Sequence, residues 1–252
     1  MALIARAHRR FEPELRALDA LLPTKRRTAV DVGAWYGPWA IALAKRFDDV
    51  VTIEPNPSVA DRLEGALPGN VRLERFAASD RAGTAVLEAP EALGAEGIGR
   101  LTTEPATGGH RTTEVATCTI DSLGLSDVDF MKIDVEGHEL EAITGASATI
   151  QRCRPVLVVE LEERLAPVEP VMDRLDSMGY RPHIVRRGAL VPVGPDDHLG
   201  QTPTPRSYLA TVLRPDPDAT PTTWCSSRRA PARTRECGPP RGGSNQAERP
   251  LA

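Results

Sequence analysis

The sequence predicts an α/β fold built around a doubly wound, Rossmann-like sheet whose strands are mostly parallel and whose two faces carry helices. Two observations predict this fold. Short apolar runs, typical of buried strands, alternate along the chain with segments of helical periodicity, which is the pattern of strand–helix–strand units. The chain has 252 residues, of which 40% are hydrophobic, so it can enclose the large core that such a sheet requires.

The first half of the predicted sheet comes from three apolar runs with helical patterns between them. Strands are predicted at residues 28–33, 50–54 and 71–78. Helices are predicted at residues 38–46 and 58–67. Pro38 supports the start of the first helix, because proline is tolerated in a first turn, where the backbone N–H has no helical partner.

The second half of the predicted sheet follows a polar, glycine-rich stretch that contains hairpin-like pieces at residues 84–87 and 114–120. Beyond this stretch, strands are predicted at residues 130–135 and 156–161, and helices at residues 138–150 and 171–178. Two further strand-like runs cover residues 183–193, with a turn at Gly188, and residues 208–213.

The composition of the chain changes at both ends. Residues 1–27 form an amphipathic N-terminal helical segment that is interrupted by charged residues and lacks the apolar run of a signal peptide. From residue 215 onward the chain is rich in Pro, Gly, Arg and Ser, and it cannot bury enough apolar surface to offset its chain entropy. We therefore predict an α/β domain at residues 28–214 and a disordered tail at residues 215–252.

Charge and cysteine usage argue against several classes of partner. The formal net charge of -4 does not favour nucleic acid or an anionic membrane. No segment approaches the roughly 20 apolar residues of a membrane span. The four cysteines show no CxxC spacing, which fits a reducing cytoplasm.

The ends of the first two predicted strands carry the residues that indicate a ligand. Asp31 ends the first apolar run, Gly33 and Gly37 follow it, and Glu54 ends the second run. Ligands of open α/β sheets lie beyond the carboxyl ends of the strands. Glycines there let the backbone approach a ligand closely, and an acid at the end of the second strand can bind both hydroxyls of a ribose. These residues therefore indicate a nucleoside.

The nucleoside could belong to NAD or to S-adenosylmethionine (SAM). A dinucleotide site favours G-x-G-x-x-G with the pyrophosphate at a helix N-terminus, whereas this sequence has G-x-x-x-G and an aspartate at the strand end. Asp31 would repel a pyrophosphate and attract the ammonium group of SAM, whose tail also carries a sulfonium. The sequence favours SAM, and NAD or a turn without a ligand stay as alternatives.

Four segments together resemble the FkbM family of SAM-dependent methyltransferases. They are DVGAWYG (31–37), TIEPNP (52–57), FMKIDVEGHELEAITGA (130–146) and PVLVVELEE (155–163). The resemblance covers residues 28–163 and implies a class I methyltransferase fold, with a seven-stranded sheet whose last strand is antiparallel. It also implies O-methylation, often of a sugar hydroxyl on a glycolipid, polysaccharide or macrolide. Trp35 and Tyr36 depart from the family pattern, and either line a pocket or cap the core.

The predicted cofactor-binding residues follow the first four strands of the sheet. They are Asp31, Gly33, Ala34, Tyr36, Gly37, Glu54, Pro55, Asn56, Ala78, Ser79, Asp80 and Asp134.

A base must remove the proton of the acceptor hydroxyl, which contributes about 10²–10⁴-fold to such reactions. His138 is the first candidate, because an imidazole titrates near neutrality. Glu136 is the second candidate. The alternative for His138 is that it only caps the helix that it opens, or faces water.

Carboxylates at the ends of the fourth and fifth strands suggest a metal site. Asp134, Glu136 and Glu160 should lie close together, and carboxylates in one small volume repel each other unless they share a cation or a proton. Mg²⁺ is one solution. A related group of macrolide and aminocoumarin sugar O-methyltransferases uses such a metal, which implies Asp134 and Glu160 as ligands and Glu162 as a weaker third. Cofactor contact by Asp134 and an arginine partner for Glu160 are the alternatives.

The sequence thus predicts a SAM-dependent O-methyltransferase that acts on a carbohydrate hydroxyl of a small molecule or oligosaccharide, with Mg²⁺ as an optional aid. The alternatives are a non-sugar hydroxyl or an amine as the acceptor, and a SAM-binding domain without catalysis. We expect a cytoplasmic protein with no integral membrane segment and no nucleic-acid partner, and a homodimer through sheet edges or the N-terminal helix stays open.

Overall fold

The computed structural model describes residue 15 and residues 18–90, 99–102, 110–186, 189–192 and 211–216. The strands are β1 (Thr28–Val32), β2 (Asp49–Ile53), β3 (Val71–Glu74), β4 (Ala77–Ala78), β5 (Gly83–Pro90), β6 (Arg100–Thr102), β7 (His110–Cys118), β8 (Val128–Ile133), β9 (Val156–Val159), β10 (Tyr180–Arg186), β11 (Ala189–Pro192) and β12 (Thr211–Pro215). The helices are α1 (Leu18–Leu21), α2 (Pro38–Ala44), α3 (Pro57–Glu64), α4 (Glu139–Thr144), α5 (Ser147–Cys153) and α6 (Glu169–Ser177), with a 3₁₀ turn at Ile120–Leu123.

The large sheet has the strand order β11-β10-β12-β9-β8-β1-β2-β3. The five strands from β3 to β9 in this order are parallel, and β12 is antiparallel to both of its neighbours. The α/β fold and the antiparallel last strand are therefore confirmed. The expected number of seven strands is wrong, because β11 pairs with β10 and adds an eighth strand at the edge. The predicted turn residue of this hairpin, Gly188, lies outside the described residues.

Alternate side chains of the central strands enter two different cores. Met131 and Ile133 of β8 pack on the face covered by α4, α5 and α6. Phe130 points to the other face, where it contacts Trp39 of α2 and Phe47. Because helices cover both faces, every residue of β8 is buried. This burial makes the single lysine of the strand, Lys132, an exception that needs a partner.

The predicted third strand, residues 71–78, divides between two sheets. β3 pairs with β2 in the large sheet, whereas β4 pairs with β7 in a small sheet of order β4-β7-β5-β6. The two hairpin-like pieces predicted from the sequence belong to this small sheet and pair with each other, as in Thr84↔Ala116. The small sheet therefore stands beside the carboxyl ends of the large one.

The predicted helix at residues 138–150 is two helices, α4 and α5, with a break at Gly145. The backbone at Gly145 packs so closely on Ser79 that an added Cβ would overlap the Ser79 carbonyl oxygen and lie 2.9 Å from its carbon. The carboxylate of Asp121 accepts hydrogen bonds from the backbone N–H groups of Ala148 and Thr149, so α5 has its own N-terminal cap.

Replacing Gly145 by alanine should lower the free energy of unfolding by about 1–3 kcal/mol, because the new methyl group displaces backbone rather than a flexible side chain. Urea denaturation would measure this loss. Gly69→Ala is the matched control, since a Cβ at Gly69 meets no atom within 4 Å. Equal stability of the two variants would contradict the close packing of Gly145 on Ser79.

Both predicted terminal segments fall largely outside the described residues. The described part of the N-terminal segment contains α1, whose Leu18 and Leu21 are buried against the sheet. The predicted tail beyond residue 216 is not described. None of the helices in the described ranges has the length and apolar character that a bilayer crossing requires.

Candidate active site

A cavity of about 330 Å³ opens at the carboxyl ends of β1, β2, β8 and β9. Its floor and walls come from the turns after these strands, and Leu87, Gly99 and Leu101 of the small sheet and its flank close one side. The predicted site residues that line it are Gly33, Ala34, Glu54, Pro55, Asn56, Ala78, Asp134, Glu136, His138, Glu160 and Glu162. The predicted residues that are not part of its lining are Asp31, Tyr36, Gly37, Ser79 and Asp80.

The turn after β1 depends on glycine at position 33. Gly33 has a φ of 80°, in the left-handed region, and a Cβ there would overlap the carbonyl oxygen of Asp134. Its N–H donates to the carbonyl of Ile53 at 3.0 Å. The tips of β1, β2 and β8 therefore meet at Gly33, and no side chain fits between them.

Glu54 fixes the two turns that border the cavity. It is 5% exposed, and its two carboxylate oxygens accept hydrogen bonds from the backbone N–H of Trp35 at 2.9 Å and of Asn56 at 2.8 Å. Burial raises the pKa of Glu54 to about 7, although both hydrogen bonds oppose the shift. Each oxygen retains a second lone pair that a ligand hydroxyl can use.

The two aromatic residues of the first turn have different surroundings. Trp35 adopts a φ of 47° and lines the cavity. Tyr36 is buried against α3 with Val59 and Leu63, and its hydroxyl accepts a hydrogen bond from Arg62 at 2.9 Å. The sequence left open whether these aromatics line a pocket or cap the core. The structure assigns the pocket to Trp35 and the core to Tyr36.

Asp31 lies beneath the cavity, beside Lys132 of the neighbouring strand, which lines the cavity. Asp31 is fully buried, with Oδ1 3.6 Å from Lys132 Nζ and Oδ2 3.3 Å from the hydroxyl of Thr52. Burial raises the pKa of Asp31, and the ammonium group of Lys132 opposes that shift. Lys132 Nζ also donates to the Gly33 carbonyl at 2.7 Å and lies 3.3 Å from Asp134 Oδ2. Sequence reasoning gave Lys132 no role, although a lysine inside a buried strand is the signal for one.

Glu136 stands in an electronegative part of the cavity. Burial, and then the charges of Asp134 and Glu162, raise the pKa of Glu136 to about 7, and Arg164 opposes the shift. The backbone at Glu136 has a φ of 51°, a left-handed conformation that is uncommon outside glycine. This conformation places a glutamate at the rim where β8 ends.

The imidazole of His138 lies between Ser79 and Glu141. Nε2 is 3.0 Å from the Ser79 hydroxyl oxygen, and Nδ1 is 3.4 Å from Glu141 Oε2. Burial lowers the pKa of His138, and the carboxylates of Glu141 and Asp80 oppose the shift. The side chain makes no capping hydrogen bond to α4 although His138 is the N-cap residue. The capping interpretation is therefore wrong for the imidazole.

The predicted metal site is not formed. Among the described residues, no three His, Cys, Asp or Glu side chains are arranged to hold a metal ion. Asp134 pairs with Lys132, and Glu162 forms an ion pair with Arg164. Asp134, Glu160 and Glu162 therefore line one cavity without forming the oxygen cage that Mg²⁺ needs, and both Asp134 and Glu162 already have cationic partners.

The family model of the methyltransferase FkbM domain matches residues 29–182. The chain belongs to this family. The resemblance predicted from the four sequence segments is thus confirmed. The matched range runs from β1 into β10 and contains all the residues that line the cavity.

Three methyltransferases are similar to parts of this chain. The hexuronic acid methyltransferase AglP of Haloferax volcanii is 31% identical over 133 residues, which cover 51% of this chain and 53% of AglP. An uncharacterized methyltransferase of Mycobacterium tuberculosis is 41% identical over 63 residues, 25% of each chain. The chain thus matches about half the length of AglP. A solved FkbM methyltransferase from Methylobacillus flagellatus has 17% identity and a TM-score of 0.49, over 75% of this chain and 43% of that one.

Proposed function

We propose that this FkbM-family domain is a SAM-dependent O-methyltransferase whose acceptor is a carbohydrate hydroxyl. One observation carries the proposal. A single cavity is lined by Gly33 and Glu54, which the sequence predicts to bind a nucleoside, and by Glu136, whose pKa is raised to about 7. A donor and an acceptor bound there would lie next to a group that can take a proton at neutral pH.

The cofactor half of the cavity is the side formed by the turns after β1 and β2. Glu54 would accept hydrogen bonds from the ribose hydroxyls while its backbone partners hold it in place. Asn56 and Ala78 would border the adenine, and Asp134 would face the charged tail. SAM, when bound, supplies an activated methyl group.

The proposed acceptor half is the side formed by Glu136, His138 and Glu160, and the cavity also has apolar lining from Leu87 and Leu101. These residues would orient the acceptor hydroxyl toward the methyl group and exclude water, which lowers the barrier by several kcal/mol. As the hydroxyl oxygen bonds to the methyl carbon and the carbon–sulfur bond breaks, Glu136 would take the hydroxyl proton.

We favour Glu136 over His138 as the base. The pKa of Glu136 is raised to about 7, so its carboxylate is both a strong acceptor and ionised near neutral pH. Both ring nitrogens of His138 already face partners, Ser79 and Glu141. His138 would then orient the acceptor rather than receive its proton.

The carbohydrate acceptor is supported by the partial match to AglP, whose name specifies a hexuronic acid. The test is transfer of a labelled methyl group from SAM to a panel of glycosides, a phenol and an amine, with binding of S-adenosylhomocysteine measured by calorimetry. Transfer to the phenol alone or to the amine alone would contradict a carbohydrate acceptor and would identify a phenolic hydroxyl or an amine as the acceptor. Binding without transfer to any acceptor would indicate a non-catalytic domain, and tight binding of NAD instead would overturn the proposal.

Removing divalent metal should leave methyl transfer within about twofold of its starting rate, because the carboxylates of the cavity do not form the set of oxygen ligands that Mg²⁺ requires. The measurement is turnover in excess EDTA, with and without added Mg²⁺. If turnover is lost in EDTA and only added Mg²⁺ restores it, the expectation is contradicted, and Asp134 and Glu160 become candidate metal ligands again.

A further inference from the structure

The ammonium group of Lys132 lies close to two carboxylates, those of Asp31 beneath the cavity and of Asp134 in its lining, and Lys132 also lines the cavity. Asp31 of β1 is in register with Lys132 of β8, and Asp134 follows two positions later on the same segment. Lys132 Nζ lies 3.6 Å from Asp31 and 3.3 Å from Asp134, and the lysine is only 5% exposed. When Asp31 and Asp134 are both ionised, this pair of acids and the one base leave a negative charge that a bound ligand can use, and the nearby carboxyl group of Glu54 also interacts with the ammonium group.

The two carboxylates differ in their access to the cavity. Asp31 is fully buried and is not part of the cavity lining, so its charge requires a partner inside the protein. The side chain of Asp134 is 30% exposed and lines the cavity. A cation of a ligand in the cavity can therefore contact the Asp134 carboxylate directly. The Asp31 carboxylate is not reached from the cavity, and its cationic neighbour is Lys132.

We propose that Lys132 is a positioning residue that neutralises Asp31 within the core and leaves Asp134 as the carboxylate that receives the ammonium group of the SAM tail. This inference rests on the proposed function. It moves to Asp134 the attraction for the ammonium group that we expected at Asp31 from the sequence. Lys132 also holds the Gly33 carbonyl at 2.7 Å, so the same ammonium group fixes the turn against which the tail of the cofactor would lie.

The ratio of two ligand affinities tests this assignment. S-Adenosylhomocysteine carries the amino-acid tail with its ammonium and carboxylate groups, whereas 5′-methylthioadenosine has the same nucleoside and lacks this tail. The tail carboxylate is the same in the assay of every variant, so differences in the ratio between variants report the altered side chain. A change in the shape of the nucleoside site affects both ligands alike and cancels in the ratio. The charge next to the ammonium group affects only S-adenosylhomocysteine. Calorimetry with both ligands therefore separates the role of each carboxylate from general damage to the fold.

The Asp134→Asn variant should lower the ratio about tenfold or more, because it removes a charge-assisted contact. Asp31→Asn should lower it by less than about threefold, since only the local balance of charge changes. The double variant Asp31→Asn/Lys132→Met removes the Asp31 charge together with its cation, and it also removes the contact with the Gly33 carbonyl. It should therefore lower the ratio by less than Asp134→Asn does, because Asp134 can still meet the ammonium group of the ligand.

Direct contact between Asp31 and the cofactor predicts the opposite pattern. The affinity ratio would then fall in Asp31→Asn and in the double variant, and it would stay at the wild-type value in Asp134→Asn. This result would overturn the inference while SAM binding stands. If the double variant does not fold, the comparison of Asp31→Asn with Asp134→Asn decides alone. Failure of the wild-type protein to bind either ligand would overturn the proposed function itself.

Discussion

Replacing Glu136 by glutamine should lower the turnover of methyl transfer by about 10²–10⁴-fold, which is the contribution of a positioned general base. The amide keeps the size and most of the packing of the carboxyl group but cannot take a proton at neutral pH. S-Adenosylhomocysteine affinity should stay within about threefold, because Glu136 lines the cavity on the side that we propose for the acceptor. The measurement is single-turnover methyl transfer beside calorimetric binding.

The pH dependence provides a second readout for the same carboxylate. The pKa of Glu136 is raised from its ordinary value of 4.5 to about 7, so wild-type turnover should rise with pH through about 7 as the base loses its proton. Glu162→Gln is a matched variant. It removes a neighbouring negative charge, which should move this rise to lower pH while turnover is retained.

Stability should change in the opposite direction to activity. Because the folded protein holds the Glu136 proton more tightly than the unfolded chain, ionised Glu136 lowers stability progressively from about pH 4.5 to 7, and fully above pH 7. Glu136→Gln should therefore be more stable than the wild type at pH 8, by at most about 3 kcal/mol, and equal to it at pH 4. A variant that loses turnover while it gains stability cannot owe its loss to misfolding.

His138→Gln decides between the two candidate bases. If Glu136 is the base, glutamine at position 138 should cost less turnover than the change at position 136, because it can still bond to Ser79. A full loss in His138→Gln, with turnover retained in Glu136→Gln, would show that the imidazole takes the proton and would assign Glu136 to acceptor binding.

The parts of the site that the sequence predicted are those that local chain geometry fixes. Gly33 and Glu54 follow directly from the ends of two apolar runs, and both line the cavity. The environment of Asp31 could not be predicted in this way, because it depends on Lys132, which joins it only when β1 and β8 pair in register. Period-two alternation gives the face of a side chain but not its partner across the sheet.

The same limit explains the errors in the fold. The run at residues 71–78 has one apolar pattern, yet β3 and β4 pair with strands from different sheets, and only those partners reveal the division. The helical pattern at residues 138–150 continues through Gly145, while the break results from contact with Ser79, far away in the sequence. Pairing between distant segments decided each case.

Gly33→Ala should combine a loss of stability with a loss of cofactor binding. The residue adopts a φ of 80°, and its new Cβ would overlap the carbonyl oxygen of Asp134 and lie 3.0 Å from the carbonyl carbon. The left-handed conformation and the overlap with backbone together should cost about 2–5 kcal/mol in the free energy of unfolding. Denaturant titration measures this cost directly.

Any relief of that overlap must separate the tips of β1 and β8, and it would do so where the cofactor is proposed to bind. The 2.7 Å contact between Lys132 and the Gly33 carbonyl would break, and S-adenosylhomocysteine affinity should fall by about tenfold or more.

Gly37→Ala is the matched control for Gly33→Ala. Gly37 has a φ of 77°, but its Cβ would meet side-chain ends rather than backbone, those of Leu63 at 2.9 Å and Leu67 at 3.6 Å. The cost should therefore be about 1–2 kcal/mol, with binding largely retained. If Gly33→Ala behaved like this control, a strained conformation alone would explain the glycine at position 33. The close meeting of the two strands would then have no part in forming the cofactor site.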